Sequence, residues 1–469
     1  MRLFKHIRIR HILGSCQPTT PKNAPDQMPD QPLIFPAEFL WGVSTSAHQV
    51  EGNNHNQWTE WEDAGKTVSG DRSGIACDWW SSAERDFDLA QELGINALRL
   101  SVEWSRIEPQ PGNFNQAALS RYREMLSALH RRGIRPLVTL HHFTNPIWFE
   151  KAGGFLSERS VMHFERFARK VIEELGDLSD TWVTFNEPNV YSTLGYLVGE
   201  FPPGWRSRLG ATIRVLANIA RAHAQAYRAI HQLQPQAQVG WTDNYIVFQP
   251  ADPDSRFDCT VAGWQHELFN SSFLRLIERG ALIFPFNLIS GDLQEVKGTC
   301  DFVGLNVYNR AHVRFDIKFP ASLFGHIFIP EDVPQGDPGA NHAYGEAYPH
   351  AIYLASQNAA RLGKPIYILE NGVPDAHDRL RPWLLTNAVR ELHALIQQGI
   401  DVRGYFHWSL VDNFEWSEGW RLRFGLYALD RETQRRIPRS SAQIYSSIVK
   451  ANGLTEEIFD RETSNSRRS

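Results

Sequence analysis

The 469-residue sequence predicts an α/β protein, a single closed (β/α)8 barrel of the TIM type with long βα loops. Three observations predict it. Short apolar or β-branched segments recur eight times, separated by longer amphipathic ones. Four of the helical patterns stop at a glycine, the residue that takes a left-handed conformation without steric cost. No Gly/Ser or Pro-rich linker divides the barrel region into compositionally different parts. Buried strands alternating with amphipathic helices make a parallel sheet covered by helices, and eight units in one undivided chain close it. The structural alternative is an open doubly wound sheet. It would carry a Gly-rich phosphate turn after an early strand, and none is present.

In chain order, Phe39–Ser44 reads as the first strand. The helical pattern Ala83–Leu93 ends at Gly94 and leads into the strand Ala97–Ser101. Leu119–Arg132 stops at Gly133 before Arg135–His141, and Val161–Leu175 stops at Gly176 before Thr181–Phe185. Ala211–Leu233 precedes Gln238–Thr242. Phe302–Leu305 and Pro365–Leu369 are the sixth and seventh strands. Leu384–Gln398 stops at Gly399 before the eighth, Val402–Phe406. The stretch from Arg310 to Tyr348 is long, rich in Phe and Pro and without clear periodicity, so it reads as a loop. Its position beside the strand ends makes it a candidate wall for the leaving-group side of a site.

The barrel is expected over residues 33–455. Residues 1–32 read as a disordered or wrongly started extension, and 456–469 as a polar tail. The amino-terminal segment is basic, but Arg8, Arg10 and His11 interrupt any apolar core that a secretory signal needs. A cytoplasmic location is therefore expected. Leu13-Gly14-Ser15-Cys16 resembles a lipoprotein cleavage box but lacks that core as well.

Composition removes several function classes. The 48 Lys and Arg stand against 53 Asp and Glu with no long block of one sign, so nucleic acid is not expected as the main partner. No run of apolar residues is long enough for a membrane span. Cys16, Cys77, Cys259 and Cys300 are scattered without metal or disulfide spacing, and no metal or cofactor is implied. The 15 Trp are unusual. Tryptophan is mostly core material, and in a polar cleft it is also a surface on which the apolar face of a sugar ring can lie.

Chemistry in such a barrel sits at the C-terminal ends of the strands. Reading those ends gives Arg99 and Ser101, His142, Asn186 and Glu187, Asn244, Asn306 and Tyr308, Glu370 and Asn371, and Trp408. One strand-end Glu alone is more often a capping or salt-bridge group. Two carboxylates among Asn, His, Trp and Tyr, with no nucleophilic serine elbow, form the inventory of a glycosidase. One acid protonates the leaving oxygen, while the other attacks the anomeric carbon or activates water.

These residues lie in recognisable motifs. Phe39-Leu40-Trp41-Gly42-Val43-Ser44-Thr45-Ser46-Ala47-His48-Gln49-Val50-Glu51-Gly52, Thr184-Phe185-Asn186-Glu187-Pro188, Leu369-Glu370-Asn371-Gly372 and the run Trp408 to Trp416 followed by Arg423-Phe424-Gly425 occur in that order. Together they closely resemble glycoside hydrolase family 1, the β-glucosidase and β-glycosidase family, from about Phe35 to Val449. The resemblance implies a (β/α)8 barrel and a retaining exo-β-glycosidase acting on terminal β-D-glucosyl residues, with β-galactosyl and β-fucosyl residues as further substrates. It implies Glu187 as acid/base and Glu370 as nucleophile, supported by Arg99, Tyr308 and Asn306. It implies Gln49, His142, Asn186, Glu415 and Trp416 as contacts to sugar hydroxyls, and Trp408 as the platform under the ring. Relatives that act on 6-phosphorylated sugars carry a small Ser where Glu415 stands, so an unphosphorylated glycone is expected.

Departures exist. Leu369 stands for the usual Thr, and Val307 for a common Tyr. His141-His142-Phe143-Thr144-Asn145-Pro146 and Trp420 are closer to the archaeal and galactolipid-remodelling branches. That keeps a transglycosylase, with a sugar or galactolipid acceptor intercepting the same intermediate, as the alternative reading. A sugar-binding protein on a retired barrel would have lost a carboxylate, and both are present. The partners implied are β-glucosides and oligosaccharides. The oligomeric state is not legible in the sequence.

Overall fold

Eight strands form where the apolar segments predict them. They are β1 (Leu40–Ser44), β2 (Ala97–Ser101), β3 (Arg135–His141), β4 (Thr181–Asn186), β5 (Gln238–Pro250), β6 (Phe302–Phe315), β7 (Ile366–Asn371) and β8 (Val402–His407). In this computed structural model, which describes residues 31–337 and 344–460, each strand pairs in parallel with the next. β8 returns to β1 through Tyr405 opposite Trp41, so the sheet closes into a barrel. The basic segment at 1–30 lies outside the described residues.

The strands are buried on both faces, which is why they read as continuous apolar runs instead of alternating ones. Inside the barrel, Ala97, Leu137, Val183, Phe302, Tyr367, Leu369 and Phe406 pack as one cluster. Leu369, the departure noted before Glu370, is thus a fully buried member of the barrel interior. A much larger apolar cluster fills the layer between the strands and the helices.

Around the strands pack, among other helices, α1 (Trp79–Leu93), α2 (Gln116–Arg131), α3 (Ser160–Leu175), α4 (Leu209–Leu233), α5 (Ser272–Arg279), α6 (Ala351–Ala360), α7 (Arg381–Gln397) and α8 (Ser440–Ala451). Their apolar stripes explain them. α3 buries Phe164, Phe167, Ala168, Val171, Ile172 and Leu175, at spacings of three, one, three, one and three. Gly94, Gly133 and Gly399 are left-handed, as a glycine stop requires. Gly176 departs from that expectation. It stays right-handed, with φ −67, and is small for another reason: a Cβ there would stand 2.6 Å from the Ile172 carbonyl oxygen.

Two expectations need correction. The stretch 310–348 is not one irregular loop. β5 and β6 run on past the barrel to Pro250 and Phe315 as a paired arm, with Gly325–Phe328 added antiparallel and Glu346–Ala347 paired to Asn309 and Arg310. Ala311 and Val313 are buried while Arg314 between the arm's residues is exposed, a period of two too short to stand out in a Phe- and Pro-rich segment. The polar tail also begins later than residue 456, because residues 456–460 form a helical turn that buries Ile458 and Phe459. Near that end Leu33–Ile34 pairs with Gly453–Leu454 and ties the two ends of the barrel region together.

Candidate active site

The barrel brings the strand-end residues to one mouth. Glu370 lies near the end of β7, Arg99 in β2, and Asn306 and Tyr308 in β6. Glu187 is the first residue beyond β4, and Pro188 starts the short helix that follows. Its backbone is left-handed at φ 45 and ψ 64, an unfavourable conformation for a non-glycine residue that aims the side chain inward at the strand's end. His142 follows β3, and Gln49 sits on the short helix Ala47–Val50 after β1. Trp408, Glu415 and Trp416 come from the loop after β8.

The two carboxyls have different company. Glu370 Oε1 accepts from Arg99 Nη1 at 2.5 Å, and Oε2 from the Tyr308 hydroxyl at 2.7 Å. Glu187 Oε1 accepts from Asn306 Nδ2 at 2.7 Å and Asn244 Nδ2 at 3.0 Å. One carboxyl therefore faces a cation and a phenol, the other two neutral amides. Arg99 Nη2 and Asn306 Nδ2 both donate to Asn186 Oδ1, at 2.6 and 3.1 Å, so a continuous polar chain links Glu370 to Glu187. Arg99 is fully buried and its Nε is held by Thr139 Oγ1 at 2.9 Å.

Electrostatics follow from these partners. Burial first, and the charge of Glu370 second, push the Glu187 carboxyl up to about 8. Burial also raises Glu370 and outweighs the Arg99 charge and the Tyr308 hydrogen bond that pull against it. The amide-flanked carboxyl thus keeps its proton, while the arginine-flanked one has the partners that favour its charged form. This is the division of labour that acid-assisted displacement needs.

The rest of the mouth is built from hydrogen-bonding groups and aromatic faces. Gln49 Nε2 donates to Asn413 Oδ1 at 2.9 Å, the Phe414 carbonyl at 2.8 Å and Glu415 Oε2 at 3.2 Å. Asn186 Nδ2 donates to His142 Nε2 at 3.1 Å, so that nitrogen carries the lone pair and the proton sits on Nδ1. Burial, with Arg99 nearby, holds His142 well below the usual imidazole range and keeps it neutral. Its Nδ1 is buried without a protein partner. An unpaired donor in a polar cavity suits a ligand rich in hydroxyl oxygens. The His142 ring stacks near Trp408 and Trp416, at centroid distances of 6.1 and 5.8 Å.

All eleven residues expected at the site lie at this mouth. Three further participants had no assigned role. Asn244 was legible as a strand-end amide, and Thr139 was hidden inside an apolar strand. Tyr344, whose hydroxyl donates to Glu415 Oε1, comes from the long Phe- and Pro-rich stretch, where nothing in the local pattern marks it. No group of three or more His, Cys, Asp or Glu that could hold a metal occurs among the described residues. Among them, no helix is long and apolar enough to cross a membrane.

A parallel eight-stranded barrel that buries two carboxyls of opposed proton demand at its C-terminal mouth defines a glycoside hydrolase. Comparison with known proteins carries this to the family. Residues 31–454 match the sequence pattern of glycosyl hydrolase family 1, and the chain belongs to that family. It is 31% identical to a β-galactosidase of Pyrococcus woesei, over 91% of this chain and 99% of that one. It is 32% identical to β-glucosidase A of Thermotoga maritima, over 90% and 99%. Among solved structures it superposes on a β-glycosidase from Pyrococcus horikoshii with a TM-score of 0.83 at 39% identity, covering 92% of this chain and 98% of that one. It also superposes on the family 1 β-glucosidase from Thermotoga maritima with a TM-score of 0.85 at 31% identity, covering 91% and 100%.

Proposed function

We propose that the protein is a retaining exo-β-glycosidase that hydrolyses terminal β-D-glucosyl residues and accepts β-galactosyl and β-fucosyl residues. The observation that carries the reading is the unequal pair, Glu187 between amides and Glu370 against Arg99 and Tyr308. Glu187 donates its proton to the departing glycosidic oxygen while Glu370 attacks the anomeric carbon and forms a glycosyl ester. The ester removes the charge of Glu370 and with it the repulsion that holds the Glu187 proton. Glu187, now the stronger acid, is left as carboxylate, takes a proton from water and directs that water onto the anomeric carbon. Two displacements retain the configuration, provided that the carboxyls stand about 5–5.5 Å apart.

Gln49, His142, Asn186, Glu415 and Trp416 contact the sugar's hydroxyls, and Trp408 is the platform under the ring. Support for these contacts is the unpaired Nδ1 donor of His142 and the aromatic faces around it. A cytoplasmic location belongs to the same proposal and rests on the charges that interrupt the apolar run near residue 10, which lies outside the described residues.

The test is hydrolysis of a chromogenic β-glucoside, with the first-formed sugar followed by proton NMR. Wild type is expected to release β-glucose before mutarotation, and Glu370→Gln to lose turnover. Initial release of α-glucose, or undiminished activity in Glu370→Gln, would reject the mechanism.

A further inference from the structure

Tyr344 lies on the segment between β6 and β7, far in sequence from both carboxyls. Its hydroxyl donates to Glu415 Oε1, while Gln49 Nε2 holds Oε2 at 3.2 Å. Its ring packs edge-on against Tyr308, with centroids 5.3 Å apart, and against Phe424 at 4.8 Å. Tyr308, Trp408, Leu422 and Phe424 form one buried cluster, and Tyr344 covers it. A single side chain thus touches both the phenol that holds Glu370 and the carboxyl at the sugar-binding end.

Tyr344 is also anchored. Two residues on, Glu346 is buried and accepts from Arg310 Nε and Nη2 at 2.7 and 2.6 Å, a two-pronged ion pair. His312 Nε2 lies 3.2 Å from the same carboxylate, and the Arg310 guanidinium lies 4.0 Å over the Tyr348 ring. Arg310 and His312 belong to the β6 arm, so the pin ties the Tyr344 segment to a strand that starts in the barrel wall. A buried pair of this kind stabilises little by itself, and fixing one register is its best-attested use.

From this geometry we infer that Tyr344 is a specificity-determining residue of the glycone site. It holds Glu415 in one orientation, and the Glu346–Arg310 pair is the positioning element that delivers it. The inference rests on the proposed glycosidase reading and adds a residue to that site. Glu415 is buried and close enough to Glu370 to feel its charge, and only donors keep its oxygens directed. Burial and the surrounding carboxyls keep the Tyr344 phenol protonated, so it serves as a constant donor. Remove it, and Glu415 Oε1 loses that donor, and the carboxyl can rotate. The sugar's hydroxymethyl end, which the family resemblance places at Glu415, then meets a misaligned acceptor.

The experiment compares kcat/KM for nitrophenyl β-D-glucopyranoside and β-D-xylopyranoside, the latter lacking the hydroxymethyl group, in wild type, Tyr344→Phe and Glu346→Gln. Tyr344→Phe is expected to lower the glucoside value by about tenfold, the scale of leaving a buried polar group unsatisfied, and to leave the xyloside value near wild type. Glu346→Gln is expected to shift the same ratio in the same direction. An equal fall on both substrates, or no change, in Tyr344→Phe overturns the role of Tyr344. A wild-type ratio in Glu346→Gln overturns the pin. Circular dichroism and thermal melting establish that each variant is folded, and a misfolded Glu346→Gln is replaced by Arg310→Lys, which keeps the charge but loses the fork. Total loss of activity in wild type as well would refute the glycosidase reading instead, so the two failures are distinguishable.

Discussion

At the scale of single residues, the chemistry depends on how each carboxyl is solvated. Two amides can hydrogen-bond Glu187, but they cannot repay the charge that burial penalises, and Glu370 adds a repelling charge. The acid form must therefore persist up to about pH 8, and kcat/KM is expected to fall as pH rises through about 8, because the acid is then lost. A pH–rate profile checks this. In Glu187→Gln that alkaline limb should disappear, and turnover of substrates with poor leaving groups should drop by about 10²-fold or more. Arg99, His142, Asn186, Glu187, Asn306, Tyr308, Glu370 and Trp408 were legible as polar or aromatic residues at strand ends, whereas Gln49, Glu415 and Trp416 were legible only through the family resemblance. Tyr344 was not legible, since its contact with Glu415 spans 71 residues and depends on a fold-back that no local periodicity encodes.

Elements place these groups, and they do so with little tolerance. The end of β7 passes so close to the chain beyond β8 that a Cβ on Gly372 would stand 2.0 Å from the Trp408 carbonyl oxygen. Gly372→Ala must push the two strand ends apart. It is expected to cost roughly 1–3 kcal/mol of stability, the scale of an overpacked site, and to lower activity by moving Glu370 and Trp408 relative to each other. Chemical denaturation and kcat/KM measure the two effects. The eight strands were visible in the sequence because each is a short apolar run buried on both faces. The arm formed by the ends of β5 and β6 was not, because it leaves the barrel wall and alternates charged with apolar residues only briefly. Gly176 shows the limit of reading caps: the residue was right, but its cause was a close carbonyl instead of a left-handed turn.

For the whole molecule, the barrel buries carboxyls that would ionise in water, and its stability must depend on pH. Asp243 is pushed up to about 7 by burial, with one oxygen taking the Trp241 indole N–H at 2.9 Å and the other unpartnered. Its folded-state pKa lies above its unfolded value, so the folded protein binds the extra proton, and the stabilisation present in acid is lost as pH rises through about 7. Glu187 and Glu415, raised to about 8, extend the same trend. The buried His141 and His223, lowered to about 4, oppose it, but only below the ordinary histidine range. Thermal stability is therefore expected to decline between about pH 6.5 and 8. Asp243→Asn keeps an acceptor for Trp241 and should flatten that decline, which melting curves across the range would reveal. The chain ends matter at this scale too. Apolar Ile458 and Phe459 lay in a segment whose neighbours are polar, and only their docking on the barrel shows that the packed unit runs past residue 455.

In the proposed mechanism Glu370 becomes covalently bonded to the sugar. An activated 2-deoxy-2-fluoro-β-glucoside slows breakdown of that ester more than its formation, so the intermediate accumulates. Proteolysis and mass spectrometry of the treated protein then locate the added fluoroglucosyl mass. It is expected on Glu370 and nowhere else; a label on any other residue, or a product of inverted configuration with no labelled peptide, rules the mechanism out.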